Sequence, residues 1–369
     1  MHIPGYKTLE EIEKEFNIKF DEEEKRKLNE ILKIHPMFIP TYYAKLINWG
    51  DENDPIKRII FPSIYELSEE GEYDTSGEKE NTVLTGLQHK YKETVLILAT
   101  NRCAGYCRHC FRKRLVGIPT EETIKIFDEA VKYVKEHKEV TNVLISGGDP
   151  LVLPSEVLEN FIAKLSEIPH LRFIRIGSRV PVFYPMRIYE DKKLLEMLKK
   201  YSTPNRRIYL VTHFNHPKEI TEESKKAIDA LLDSKVITSN QTVLLKGVND
   251  DPKVLAELMK SLVQIGVVPY YVFQCRPVKR VKSHFQVPLK EGYKIVEGAK
   301  RNLDGHAKRF KYIMSHKTGK IEIVGLDEEN DIIYLKYHQA KDDKNVGKFF
   351  AKKLTPNAGW LDDLKDLEK

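Results

Sequence analysis

Apolar residues recur at helical spacing near the start of the chain. Leu9, Ile12 and Phe16, then Leu28, Ile31 and Leu32, stand among many charges. Residues 8 to about 48 therefore read as helices. Residues 50–87 are richer in Pro, Gly, Asp and Ser and read as a long connecting arm. From Thr94 the texture changes. Short apolar runs appear at 94–100, 142–147, 172–177, 207–213, 237–246 and 267–275, with helical patterns at 121–137, 154–167, 190–201, 221–234 and 252–265. Six strands alternating with helices predict a parallel sheet, either barrel-like or open and doubly wound. In both, ligands gather at the C-terminal ends of the strands. Further on, runs at 320–324 and 332–337 flank a polar turn and predict a hairpin or meander. Phe349-Phe350 and Trp360-Leu361 are expected to pack it on the body. The pattern divides the chain into residues 1–88, 89–305 and 306–369.

The 369 residues suffice for one large domain with appendages or for two domains. Hydrophobic residues make up 41% and charged residues 31%, which excludes a disordered or fibrous chain. The net charge of +6 comes from interleaved signs, so it gives no argument for nucleic acid. No apolar run approaches the roughly 20 residues that span a bilayer. With four cysteines, three of them within eight residues, a secreted disulfide scaffold is excluded and a reducing cytoplasm is expected.

The residues just after each strand are polar and specific: Asn101-Arg102-Cys103, Gly147-Gly148-Asp149-Pro150, Ser178-Arg179, Thr212-His213-Phe214-Asn215 and Gln274-Cys275-Arg276. Their convergence marks an active-site rim. Cys103, Cys107 and Cys110 form C-x-x-x-C-x-x-C directly after the first strand. Three thiolates can hold three irons of a [4Fe–4S] cluster and leave the fourth open to a ligand. Zinc is the competing metal, but a structural zinc site wants four ligands and Cys275 stands alone.

Cys103-Ala-Gly-Tyr-Cys107-Arg-His-Cys110 resembles the radical S-adenosylmethionine superfamily motif. The stretch 101–117 is similar, more narrowly, to the lysine 2,3-aminomutase family. So are Ser146-Gly-Gly-Asp-Pro150, Arg175-Ile-Gly-Ser-Arg179, the segment 212–217, Asn240-Gln241 with 244–250, and the segment 269–275. The likeness runs from about residue 40 to about residue 300. It implies a partial (β/α)6 TIM-type barrel, to which the pattern above adds a helical N-terminal region and a small β-rich C-terminal segment. It implies iron ligation by Cys103, Cys107 and Cys110, and a 5′-deoxyadenosyl radical made by reductive cleavage of S-adenosylmethionine. By position, His109 would lie against the adenine. Gly147, Gly148 and Asp149 would receive the methionine amino group, and Arg179, His213 and Gln241 would contact the carboxylate, ribose or adenine.

The sequence also departs from the family. Its Gly-rich loop ending in Lys-Thr-Pro, whose lysine holds pyridoxal phosphate, is absent. Lys317, followed by Thr318, is the nearest vestige, and Lys320 follows Gly319. In the phosphate-contacting segment Lys90 and Thr94 stand where arginines are usual, and Lys is a point charge rather than a fork. Arg112 matches the arginine that holds the substrate carboxylate. Where lysine-specific enzymes carry two aspartates for the distal ammonium, this chain has Arg276 and, nearby, Ser315. Arg276 would repel an ammonium and suits an acidic group. The family's zinc cysteines are missing, with Asp251 at their upstream partner position, so no zinc is expected.

The leading expectation is an isomerase: an aminomutase-like radical enzyme with pyridoxal phosphate, acting on lysine, glutamate or another amino acid. The alternative is a radical enzyme that dispenses with pyridoxal phosphate and performs epimerisation, dehydrogenation or another hydrogen abstraction on a small molecule or peptide. A non-enzymatic iron–sulfur sensor is the third class. The expected partners are a small-molecule substrate and a reductant such as flavodoxin or ferredoxin, with neither nucleic acid nor membrane. The C-terminal meander could cover the barrel mouth or join copies of the chain in a homo-oligomer.

Overall fold

The computed structural model describes residues 2–367. The N-terminal region opens with two capped helices. Thr8 and Glu11 form a reciprocal capping box on Leu9–Phe16, and Asp21 caps Glu22–Ile34. A short antiparallel ladder joins β1 (Gly5–Tyr6) to β2 (Ile39–Pro40). Leu9, Ile12, Leu28 and Ile31 are fully or almost fully buried, as their spacing predicts.

One twelve-stranded sheet carries the rest. Its strands are β3 (Thr82–Leu84), β4 (Leu87–Tyr91), β5 (Thr94–Thr100), β6 (Asn142–Gly147), β7 (Phe173–Gly177) and β8 (Arg207–Thr212). They are followed by β9 (Ile237–Leu244), β10 (Val268–Gln274), β11 (Lys311–His316), β12 (Gly319–Asp327), β13 (Ile332–Ala340) and β14 (Phe349–Lys353). Spatial order follows chain order throughout. The strands β5 to β11 are parallel. β3 and β4 add an antiparallel hairpin at one edge, and β12 to β14 an antiparallel meander at the other. The six predicted strands are present. So are the five helices, as Phe127–Glu136, Ser155–Ser166, Lys192–Tyr201, Glu222–Asp233 and Pro252–Gln264. Asp191, Thr221 and Asp251 cap three of them, which gives Asp251 a structural task at the position noted above.

The sheet forms an open arc, the partial barrel expected from the sequence, and among the described residues no ladder joins its two edges. Side chains cross the gap instead. Lys90 on β4 donates to the carbonyl of His316 at 2.7 Å, Lys92 meets Asp343 at 3.5 Å and Lys341 meets Glu80 at 3.7 Å. The sheet also runs unbroken through both boundaries drawn from the sequence, since residue 88 lies inside β4 and β11 pairs directly with β10.

Two expectations need correction. Lys311–His316 is a seventh parallel strand, which the sequence reading did not separate from the segment that follows it. Phe349 does not pack inward: it is 57% exposed and stacks on Tyr334, while Phe350 is half-buried and Trp360 is buried. Adjacent strand residues point to opposite faces, so only one of the two phenylalanines can face the body.

Candidate active site

The loop after β5 is closed at its neck. Asn101 Nδ2 donates to the Ile118 carbonyl at 2.7 Å, and the Gly117 amide donates to the Asn101 carbonyl at 3.0 Å. Gly117 has φ +76°, and any Cβ there would strike the Tyr106 ring. Beneath the loop, Arg108 and Lys113 both grip the buried carboxylate of Glu66, which comes from the arm. The result turns Cys103, Cys107 and Cys110 toward one cavity of ≈ 320 Å³ at the C-terminal ends of the parallel strands. All three thiols are free, and burial pushes each of them up, Cys110 to about 11. Such thiols stay protonated until a metal replaces the proton.

Gly147 and Gly148 let the end of β6 slide under this loop. Their amide neighbourhood is tight: Gly148 N donates to Thr100 O at 2.5 Å, and a Cβ on Gly148 would lie 2.2 Å from Arg102 O. Asp149 is engaged by protein. Its carboxylate accepts from Arg179 N at 2.6 Å and Leu151 N at 3.0 Å, and burial raises its pKa to about 6. His109, His213 and Gln241 line the same end. Burial, with Arg179 nearby, lowers the pKa of His213 to about 4 and that of His109 well below the usual imidazole value. Both rings are therefore neutral near pH 7, and His109 Nδ1 is buried without a partner.

The cavity is also cationic around Phe111. Arg112 gives Nε and NH2 to Glu78 at 2.9 and 2.8 Å, and NH1 to Ser146 Oγ and Gly147 O, both at 3.2 Å. Arg276 donates to Ser315 Oγ at 2.9 Å, so the two positions singled out for the distal group touch. The guanidiniums of Arg112 and Arg276 both pack on Phe111, 4.6 and 4.4 Å from its centroid. Arg276 NH1 and Arg175 Nε are buried without partners.

Lys317 is exposed in the tight turn between β11 and β12, outside the cavity lining. This corrects the sequence expectation: in a two-residue hairpin turn the side chains leave the sheet. Lys320, three residues on in β12, lines the cavity. Its Nζ donates to Gln339 Oε1 at 2.7 Å and lies over the rings of Tyr91 and Tyr271. Burial, then repulsion from Arg175, Lys90 and Arg276, lowers its pKa to about 7. Lys90 is lowered to about 7 as well, by burial and by Arg276. Sequence reading gave no cavity role to Arg175 or Glu78. The period-2 facing of β7, which points Arg175 and Gly177 the same way, could have found the first.

A parallel arc with three free, half-buried thiols on the loop after its first parallel strand defines a class, and the Radical SAM superfamily profile matches residues 97–259. A protein of Aquifex aeolicus (strain VF5) named "Putative L-lysine 2,3-aminomutase" is 42% identical over 364 residues, 98% of this chain and 96% of that protein. L-lysine 2,3-aminomutase of Clostridium subterminale is 41% identical over 302 residues, 81% of this chain and 70% of that one. Glutamate 2,3-aminomutase of Clostridioides difficile (strain 630) is 39% identical over 282 residues, 76% and 65% respectively. The chain belongs to the lysine 2,3-aminomutase family of radical S-adenosylmethionine enzymes. That family implies a [4Fe–4S] cluster and S-adenosylmethionine, and the three free, cavity-facing thiols and the unpartnered His109 Nδ1 and Arg179 Nε fit them. Among the described residues no helix is long and apolar enough to cross a membrane.

Proposed function

We propose that this protein moves an amino group between C2 and C3 of an acidic α-amino acid. One observation carries the reading: a single cavity is lined both by the three thiols and by Lys320, Arg175 and Arg276. When bound at the thiols, the cluster and S-adenosylmethionine supply a 5′-deoxyadenosyl radical that abstracts a substrate hydrogen. Neutral His109 and His213, with Gln241, would flank the nucleoside. The Gly147–Gly148 backbone would receive the methionine amino group, and the unpartnered Arg179 Nε its carboxylate. Apolar walls from Phe111, Phe183, Val243 and Phe273 keep water from the reacting carbon.

The Lys320 amine, its pKa lowered to about 7, becomes neutral as pH rises through 7 and would hold pyridoxal phosphate covalently, whose ring would delocalise the unpaired electron while the nitrogen migrates. The unpartnered N–H groups of Arg175 and Arg276 suit a phosphate or a carboxylate. Arg112 and Arg276, packed on one ring, offer separate partners to the two carboxylates of a dicarboxylic amino acid, whereas a distal ammonium would meet Arg276 there, with Glu78 already paired to Arg112 and Arg114. Electrons would come from a carrier of the flavodoxin or ferredoxin type in a reducing cytoplasm.

Borohydride reduction of the anaerobically purified protein with pyridoxal phosphate, followed by peptide mapping, is expected to place an adduct on Lys320. A panel of amino acids should then rank glutamate above lysine. The tight β11–β12 hairpin, in place of a glycine run, favours the reading without pyridoxal phosphate. No adduct, with S-adenosylmethionine cleavage intact, would sink the amino shift and leave epimerisation or dehydrogenation.

A further inference from the structure

A buried chain of polar contacts leads from the N-terminal region to one cluster cysteine. Glu219, 0% exposed, closes the short turn after β8. Its carboxylate accepts from Tyr43 OH at 2.6 Å, Arg179 NH2 at 2.5 Å, and the amides of Asn215 and His216 at 2.6 and 3.2 Å. Arg179 is thereby held with its NH1 on Cys107 Sγ at 2.8 Å, and its guanidinium lies 4.4 Å from the centroid of Phe183. Phe183 in turn packs edge-on against Tyr43 at 4.7 Å. No other cysteine of the three has a side-chain cation as hydrogen-bond donor among the described residues.

We propose that Arg179 and Glu219 form a tuning pair that sets the reduction potential of the cluster through Cys107. Reduction adds one electron, shared between the irons and their sulfur ligands. A full positive charge on a ligand sulfur, in a site of low dielectric, stabilises the reduced cluster more than the oxidised one and raises the potential. Glu219 fixes the guanidinium and offsets part of its charge. Arg179 therefore acts as a positioning and tuning residue on the electron-accepting step, in addition to any contact its Nε makes with a ligand. The inference rests on the assignment of the three cysteines to the cluster.

The test is potentiometry on the reconstituted holoenzyme without S-adenosylmethionine, with dithionite as reductant and electron paramagnetic resonance of the reduced cluster as readout. Arg179→Gln is expected to lower the potential, making the reduced-to-oxidised ratio at fixed potential about tenfold smaller, or about 59 mV for one electron. Arg179→Lys should keep most of the native value, and Glu219→Gln should shift the potential the opposite way, upward. Iron content per chain reports whether each variant holds its cluster. Native protein with no cluster signal would overturn the cysteine assignment itself. Full clusters with unchanged potentials, or Glu219→Gln and Arg179→Gln shifting the same way, would overturn the tuning role alone. Loss of the cluster from all three variants, Arg179→Lys included, would make the pair a structural strut and overturn it too.

Discussion

Arg108 and Glu66 form a two-pronged ion pair, Nε to Oε1 at 2.8 Å and NH2 to Oε2 at 2.6 Å, with both side chains buried. Lys113 shares the same carboxylate at 2.6 Å. The arm residue thus clamps the cysteine loop from both sides of Cys110. Burial alone would raise the Glu66 carboxyl, but Arg108 and Lys113 outweigh it and hold the pKa at about 2.

Removing this carboxylate leaves two buried cations without their partner. Glu66→Ala is expected to cost about 3–5 kcal/mol, read by denaturant unfolding, and to lower the iron bound per chain. The folded pKa lies below the unfolded value, so the contribution is complete above about pH 4.5 and fades as pH falls toward 2. A variant that unfolds like the native protein at pH 7 would show that the clamp contributes nothing.

The strands and the cysteine loop were legible because each has a local signature: apolar runs of β-branched residues for β5 to β10, and a fixed spacing of thiols after the first. What was not legible depends on partners far along the chain. Lys113 and Glu66 are 47 residues apart, and Glu219 meets Tyr43 across 176. β11, Lys-Tyr-Ile-Met-Ser-His, has only a short apolar stretch between polar ends and is recognisable only through its pairing with β10. Lys317 and Lys320 look alike in sequence. The register of one hairpin, His316 opposite Gly319, sends the first to solvent and the second to the cavity.

The cysteines separate by position. Cys107→Ala should abolish the cluster and all 5′-deoxyadenosine formation, because three thiolates are the minimum that hold this site. Cys275 is 2% exposed and its Sγ faces its neighbour's carbonyl. Cys275→Ala should retain native iron content. Full product from Cys107→Ala would end the radical assignment.

Charge beside Phe111 should choose the substrate. Arg276 is turned into the cavity against Phe111 and Ser315. A hydrogen bond to a charged group is worth about 1.5–3 kcal/mol. Arg276→Asp should therefore lower kcat/KM for a dicarboxylic amino acid by about 10- to 100-fold and raise it for lysine. An unchanged ranking over an amino acid panel would remove Arg276 from substrate recognition.

Lys320 gives the sharpest pH prediction. Burial and then Arg175, Lys90 and Arg276 bring its pKa to about 7, so the amine is protonated below that pH and neutral above it. Trapping of pyridoxal phosphate on Lys320 should rise through pH 7 and level off, whereas an ordinary lysine, near pKa 10.4, would still be gaining above about pH 9. The same shift has a cost to folding. Above about pH 7 the unfolded chain keeps a proton here that the folded chain has released, so the penalty from this lysine is full at lower pH and fades as pH rises toward the unfolded pKa. Lys320→Met should accordingly raise the Tm at pH 6 and help less at pH 9, while losing the adduct altogether. A gain that grows with pH, or an adduct that survives the substitution, would show that the reactive amine lies elsewhere.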